Sequence, residues 1–137
     1  MADREKELAH SISRFRKALD RLTKALAKEE SDLKADASIQ RFEFTFELVW
    51  KTIKRALLVE GIICKTQREC LKESFRLRLI SDEENWLAIL DDRNAMSHIY
   101  SEEEARIIYT RLPDYRQVFE NLFTAISKRY DLVERLN

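Results

Sequence analysis

The segment Arg93-Asn94-Ala95-Met96-Ser97-His98, followed at once by Ile99-Tyr100, brings a fixed cation, a carboxamide, a titratable imidazole and a phenol into one short stretch. Histidine is the side chain whose ordinary titration range reaches neutrality, so His98 is a candidate proton donor or acceptor, and Arg93 supplies charge that no ordinary pH removes. On a regular helix, residues five apart point about 140° away from each other, so Arg93 and His98 converge only where the helix frays or where each works with a group from another segment. Asn94 stands four residues before His98, where it can hydrogen-bond the imidazole and fix its tautomer. Ser101 opens the next helix and forces a turn at about His98 to Tyr100, and the dipole of the preceding helix favours a cationic histidine at that end. A purely structural reading uses the same residues: Arg93 pairs with Asp91, Asp92 or a glutamate of another helix, and His98 closes a helix end.

The elements that must position this segment are helices. One glycine and one proline in 137 residues leave almost no punctuation for hairpins,. Leu8, Ile12, Phe15, Leu19, Leu22 and Leu26 recur at alternating steps of four and three, which predicts a first helix over about 3 to 28 with one buried stripe,. Ser31-Asp32 marks a break. The second helix, about 34 to 60, carries Phe42, Phe46, Val49, Trp50, Ile53 and Leu57 inward and ends at Gly61, where a left-handed cap costs least,. Three capping boxes, Thr66 with Glu69, Ser81 with Glu84 and Ser101 with Glu104, divide the second half into helices at about 67 to 79, 82 to 98 and 102 to 112,. The last continues from Pro113 to about 134, because Ile108, Leu112, Tyr115, Phe119, Leu122 and Ile126 keep phase across the proline; a kink or a closely aligned new helix is expected there,. The expectation is an all-α, up-and-down four-helix bundle with a short extra helix, as a single domain over residues 1–137.

With 25 basic and 25 acidic side chains there is no global field to drive indiscriminate binding to nucleic acid or anionic membranes,. Any RNA or nucleotide contact must come from a local basic patch, and neither DNA nor a membrane is expected as a partner. Cys64 and Cys70, with no signal peptide or long apolar run before them, read as two free thiols in a reducing cytosol,. Four-ligand zinc spacing is absent and only His10 and His98 are available, so no metal and no cofactor are expected,.

Phe44 and Leu48 lie about 200° from Phe42 and Phe46 around the second helix, with Leu58 near the same side, and that outer apolar side should face another chain,. Glu43, Glu47 and Lys51 follow at steps of four as a solvated, mutually paired polar strip,. His10 should face solvent, Trp86 should be core or interface, and Lys51, Lys54 and Arg55 form either an RNA-facing patch or a hydrated face,.

Arg93, Asn94, His98 and Tyr100 match an R-x4-H-x-Y motif. Together with Arg41-Phe42-Glu43-Phe44-Thr45-Phe46-Glu47-Leu48-Val49-Trp50-Lys51, they make the chain resemble the HepT-like branch of the HEPN superfamily, whose members are often labelled nucleotidyltransferase substrate-binding proteins. The resemblance covers nearly the whole chain in helix order and length. It implies a helical bundle that forms homodimers and associates with a small nucleotidyltransferase, and it implies two functions of different class. In the first, the protein is a toxin and metal-independent ribonuclease: Arg93 and His98 of both subunits line a shared cleft, Asn94 orients His98 or binds phosphate, and the partner silences the site by adenylylating Tyr100. In the second, the same cleft holds a substrate for the nucleotidyltransferase and cuts nothing. Phe44 and Leu48 would then be buried between subunits. A third reading, a structural dimer that docks a partner helix, uses the outer apolar side without Arg93.

Overall fold

The stripe of leucine, isoleucine and phenylalanine along the first helix requires a partner face, and the second helix supplies it. The computed structural model describes residues 3–98 and 101–130. Among these residues there are five α-helices and no strand: α1 (Asp3–Leu26), α2 (Asp32–Val59), α3 (Gln67–Arg76), α4 (Glu83–Ala95) and α5 (Glu102–Tyr130), with a 3-10 turn at Met96–His98 between the last two. Leu8, Ile12, Phe15, Leu19 and Leu22 of α1 meet Phe42, Phe46, Val49, Ile53 and Leu57 of α2 in one buried cluster that α5 closes with Leu112, Phe119, Leu122 and Ile126. The aromatic centre is continuous. Phe42 stacks on Phe119 with ring centroids 6.0 Å apart, and Trp86 of α4 lies 5.8 Å from the same Phe119 ring. Each large side chain removed from water in this way contributes about 1.5–3 kcal/mol.

Two hydroxyls fix how α1 and α2 align. Thr45 donates to the Arg41 carbonyl one turn back and also approaches Ala18 O of α1 at 3.3 Å; Thr52 does the same with Leu48 O and with Ser11 O of α1 at 3.4 Å. Both threonines are fully buried.

Helix ends follow local chemistry. Ser31 caps α2 by accepting from Lys34 N, and Gly61, at φ +81°, ends it with Gly61 N donating to Leu58 O and Ile62 N to Leu57 O,. Thr66 caps α3 and Glu69 returns to Lys65 N, while Ser101 accepts from Glu104 N ahead of α5,. α4 departs from the expected box: Asp82, not Ser81, is the cap and accepts from Asn85 N. α3 stops at Arg76 rather than about residue 79, because Arg78 takes φ +61° and closes a glycine-type cap with a non-glycine residue,. α5 runs unbroken through the exposed Pro113, which forgoes only the bond that its missing N–H would make to Tyr109,.

Cys64 and Cys70 are joined in a disulfide, which overturns the expectation of free thiols. Both are buried, and the bridge ties the segment after α2 to the first turn of α3. Spacing alone did not reveal this. A cap at Thr66 folds the chain back within one turn and brings the two Cα atoms to 5.3 Å,. No helix among the described residues is long and apolar enough to cross a membrane.

Candidate functional site

α4 presents the candidate residues, and two polar contacts on opposite sides hold its C-terminal end. On one side Arg93 reaches α2, where its Nη2 donates to Glu47 Oε1 at 2.9 Å. On the other side Asp92, 9 % exposed, faces α5 and accepts two bonds from Arg111 Nη1, at 2.8 and 2.9 Å, and one from the Tyr115 hydroxyl. Tyr115 is pushed well above the ordinary phenol range, first by burial and then by its bond to Asp92, and the same carboxylate raises Arg111. The phenol therefore stays a donor at any physiological pH. Neighbouring residues of one helix thus lock α4 to both long helices that flank it.

Arg93 does not pair with Asp91 or Asp92. Its partner is Glu47, the glutamate expected to belong to a self-paired strip with Glu43 and Lys51; Asp91 lies 3.5 Å from Arg68 instead. The Glu47 contact uses one of the five guanidinium N–H groups. Arg93 Nε is buried and finds no hydrogen-bond partner among the described residues. The fork is thus anchored at one corner, Nε is shut from solvent, and the donors left for an anion are the Nη N–H groups not bonded to Glu47.

His98 ends the 3-10 turn and is exposed, as is Asn94. The expected bond between the Asn94 side chain and His98 is not formed: Asn94 contributes only its carbonyl, which accepts from Ser97 Oγ at 2.9 Å. The cause is the change of helix type after Ala95, since a 3-10 turn advances about 120° per residue and carries position 98 off the face of position 94. Among the described residues no hydrogen bond or ion pair joins Arg93, Asn94 and His98 within one protomer. Tyr100 lies outside the described residues.

The outer side of α2 is as the periodicity predicts. Phe44 is 54 % exposed and Leu48 and Leu58 are half-buried, whereas Phe42 and Phe46 are buried. His10 is exposed and Trp86 is core. Of the expected basic patch, Lys54 lies over the Trp50 ring at 5.2 Å and Arg55 donates to Ser11 Oγ, so two of its three cations already have neighbours. No group of three metal-binding side chains gathers among the described residues.

Residues 10–128 match the family described as nucleotidyltransferase substrate binding protein like. The chain belongs to that family. This is the HepT-like, HEPN-type membership that the Arg93 to Tyr100 segment and the α2 sequence suggested. A curated relative, the probable ribonuclease HepT of Haemophilus influenzae (strain ATCC 51907 / DSM 11121 / KW20 / Rd), is 36 % identical over 83 residues, a stretch that spans 57 % of this chain and 57 % of the relative. A crystal structure from Thermus thermophilus superposes with a TM-score of 0.73 at 36 % identity and covers 80 % of this chain and 96 % of the other. The expected all-helical bundle is thereby the fold of a solved neighbour as well.

Proposed function

We propose that the chain is a HepT-like toxin, a metal-independent endoribonuclease of one helical domain that acts as a homodimer and is paired with a minimal nucleotidyltransferase antitoxin. The observation that carries this reading is the state of Arg93. Its guanidinium is fixed by Glu47, keeps most of its donors unused, and sits on the last turn before an exposed His98. The similarity to a protein named as a probable ribonuclease supports the same reading.

Cleavage through the ribose 2′-OH needs a base for the hydroxyl proton, an acid for the departing 5′-oxygen and positive charge beside the phosphorane oxygens. One protomer has one suitable imidazole, and its Arg93 and His98 do not meet. Two-fold pairing over the exposed Phe44 and the half-buried Leu48 gives a site with two imidazoles and two guanidinium groups, so assembly and activity have one cause,. One His98 takes the 2′-proton as the oxygen attacks phosphorus. The other gives a proton to the 5′-oxygen as that bond breaks, leaving a 2′,3′-cyclic phosphate and a free 5′-hydroxyl. Arg93 neutralises the phosphorane, and Asn94, exposed and with its carboxamide unused by His98, binds phosphate. Tyr100 is the site at which the partner transfers AMP from ATP, the phenol oxygen replacing pyrophosphate on the α-phosphorus as its proton is lost, and the added phosphate fills the cleft with negative charge.

The second reading, a non-catalytic substrate-binding subunit of a two-protein nucleotidyltransferase, is favoured by the description of the matched family. The readings separate in one assay. Protein purified without its partner cuts RNA in EDTA and loses this with His98→Ala; RNA left intact at high protein concentration selects the binding reading. Incubation with the partner and ATP adds one or more AMP units in mass, and Tyr100→Phe abolishes the increment.

A further inference from the structure

A basic concavity of the protomer lies away from Arg93 and His98. It is a groove of about 630 Å³ between the end of α1 and the start of α2, lined by Arg21, Lys24, Lys28, Lys34 and Arg41, with no carboxylate in its lining. In a chain whose charges sum to zero, five cations around one groove are a local excess. Only Lys34 is compensated: its ammonium lies 3.6 Å from Glu30 and over the Tyr109 ring at 6.0 Å. The other four form no salt bridge among the described residues, and all four are exposed. The start of α2 does not by itself create the site, because Ser31 already caps it.

The groove also has direction. Arg21 and Lys24 continue a row that runs back along the same face of α1 through Lys17 and Arg14, at steps of three and four, and all four are exposed. From Arg14 to Lys24 the row covers about 15 Å of helix axis. Between the cations the surface is apolar and shallow, with Ala25, Ala37 and Leu33, which is 81 % exposed. A linear polyanion with flat apolar parts fits this better than a compact phosphate does. The groove with Trp50, Lys51, Lys54 and Arg55 offers less, since Glu7 lines it and two of its cations are engaged.

We propose that the α1–α2 groove and the cationic row leading from it hold the phosphate backbone of single-stranded RNA, as an anchoring site separate from the reacting groups. Arg41 and Glu47 stand about 120° apart around α2, on either side of Phe44 and Leu48, so the anchor lies on the α1 flank of the exposed ridge and Arg93 on the α4 flank,. That the strand is RNA rests on the ribonuclease reading. That the groove takes a polyphosphate strand rests on its lining alone.

The test measures anisotropy of a labelled oligouridylate in EDTA against full-length His98→Ala protein over a range of salt. Arg21→Ala/Lys24→Ala/Lys28→Ala in that background weakens binding about tenfold or more and flattens the plot of log affinity against log salt by about 2, the slope carried by three phosphate contacts to a single strand. Lys65→Ala/Lys72→Ala/Arg76→Ala at α3 removes the same charge and leaves both quantities unchanged. Lysine acetylation of the His98→Ala protein with its groove intact gives a second readout, with Lys24 and Lys28 protected by the oligonucleotide. Equal affinity for the two triple variants, or no protection, overturns the proposal. Loss of association with the nucleotidyltransferase at unchanged RNA affinity overturns it too and makes the groove a protein-binding surface. Binding through the groove without cleavage by the His98 protein would sink the ribonuclease reading and leave the groove standing; cleavage with an unaffected groove variant does the reverse.

Discussion

Replacing Asp92 by alanine tests whether the carboxylate between α4 and α5 holds the candidate site in place. Its two partners lose different amounts. Arg111 has a half-exposed side chain, 49 %, so water takes over its lost pair and the cost there is at most about 1 kcal/mol,. Tyr115 is 5 % exposed, and its hydroxyl is left without an acceptor in a place water does not reach, which costs about 1–3 kcal/mol,. The sum is about 3 kcal/mol, or a fall in Tm of about 10 °C for a chain of this size. Asp92→Asn keeps an acceptor for the phenol and should cost about 1 kcal/mol. Thermal and urea unfolding followed by circular dichroism measure both, and a cycle with Tyr115→Phe isolates the pair. On the Asp92→Ala background Tyr115→Phe should be neutral or stabilising, because it removes a donor that no longer has a partner. Additive losses in the cycle, or a fall of less than about 1 kcal/mol for Asp92→Ala, would refute the reasoning.

Cys64→Ser/Cys70→Ser should lower stability by about 2 kcal/mol, the loop-closure term for a short bridge, and the substituted protein should no longer respond to reductant in urea unfolding; thiols that react with Ellman's reagent in the native protein would contradict the pairing,. Alkaline pH should destabilise the fold in a defined window. Burial, and then Glu60, push Tyr130 up to about 12, so between about pH 10 and 12 the unfolded chain has lost a proton that the folded one keeps, and stability falls as pH rises through that range,. Tyr130→Phe should shallow the decline, read from melting temperature against pH. Phe44→Asp together with Leu48→Asp should convert a dimer into a monomer in light scattering with helicity retained; a dimer that persists would place the interface elsewhere.

What could be read from the sequence was local and periodic. The stripes of α1, α2 and α5 and the caps at Thr66, Ser101 and Gly61 depend on residues within a turn or two of each other, so spacing carries them. Arg78 shows where this fails. Nothing in its side chain announces a left-handed conformation, and α3 was expected to run three residues too far. Polar pairing was less legible still. For Arg93 the sequence offered Asp91, Asp92 or a glutamate of another helix without choosing among them, and the partner is Glu47, because the choice is settled by which helix packs against α4. The candidate site was therefore legible in composition, through Arg93 and His98, but not in wiring. The Asn94 to His98 bond failed for the same kind of reason, a change from α to 3-10 geometry that no residue between them signals.

The threonine contacts between α1 and α2 have a mechanical consequence. Thr45 with Ala18 and Thr52 with Ser11 are seven positions apart on both helices and run in opposite senses, so a slip of one turn in either direction would strand both hydroxyls from their cross-helix carbonyls at once. The pair is ratcheted to a single setting and behaves as one stiff plank. The cations of α1 and α2 that line the groove therefore stand on one support, and their spacing across it is set by the same two threonines.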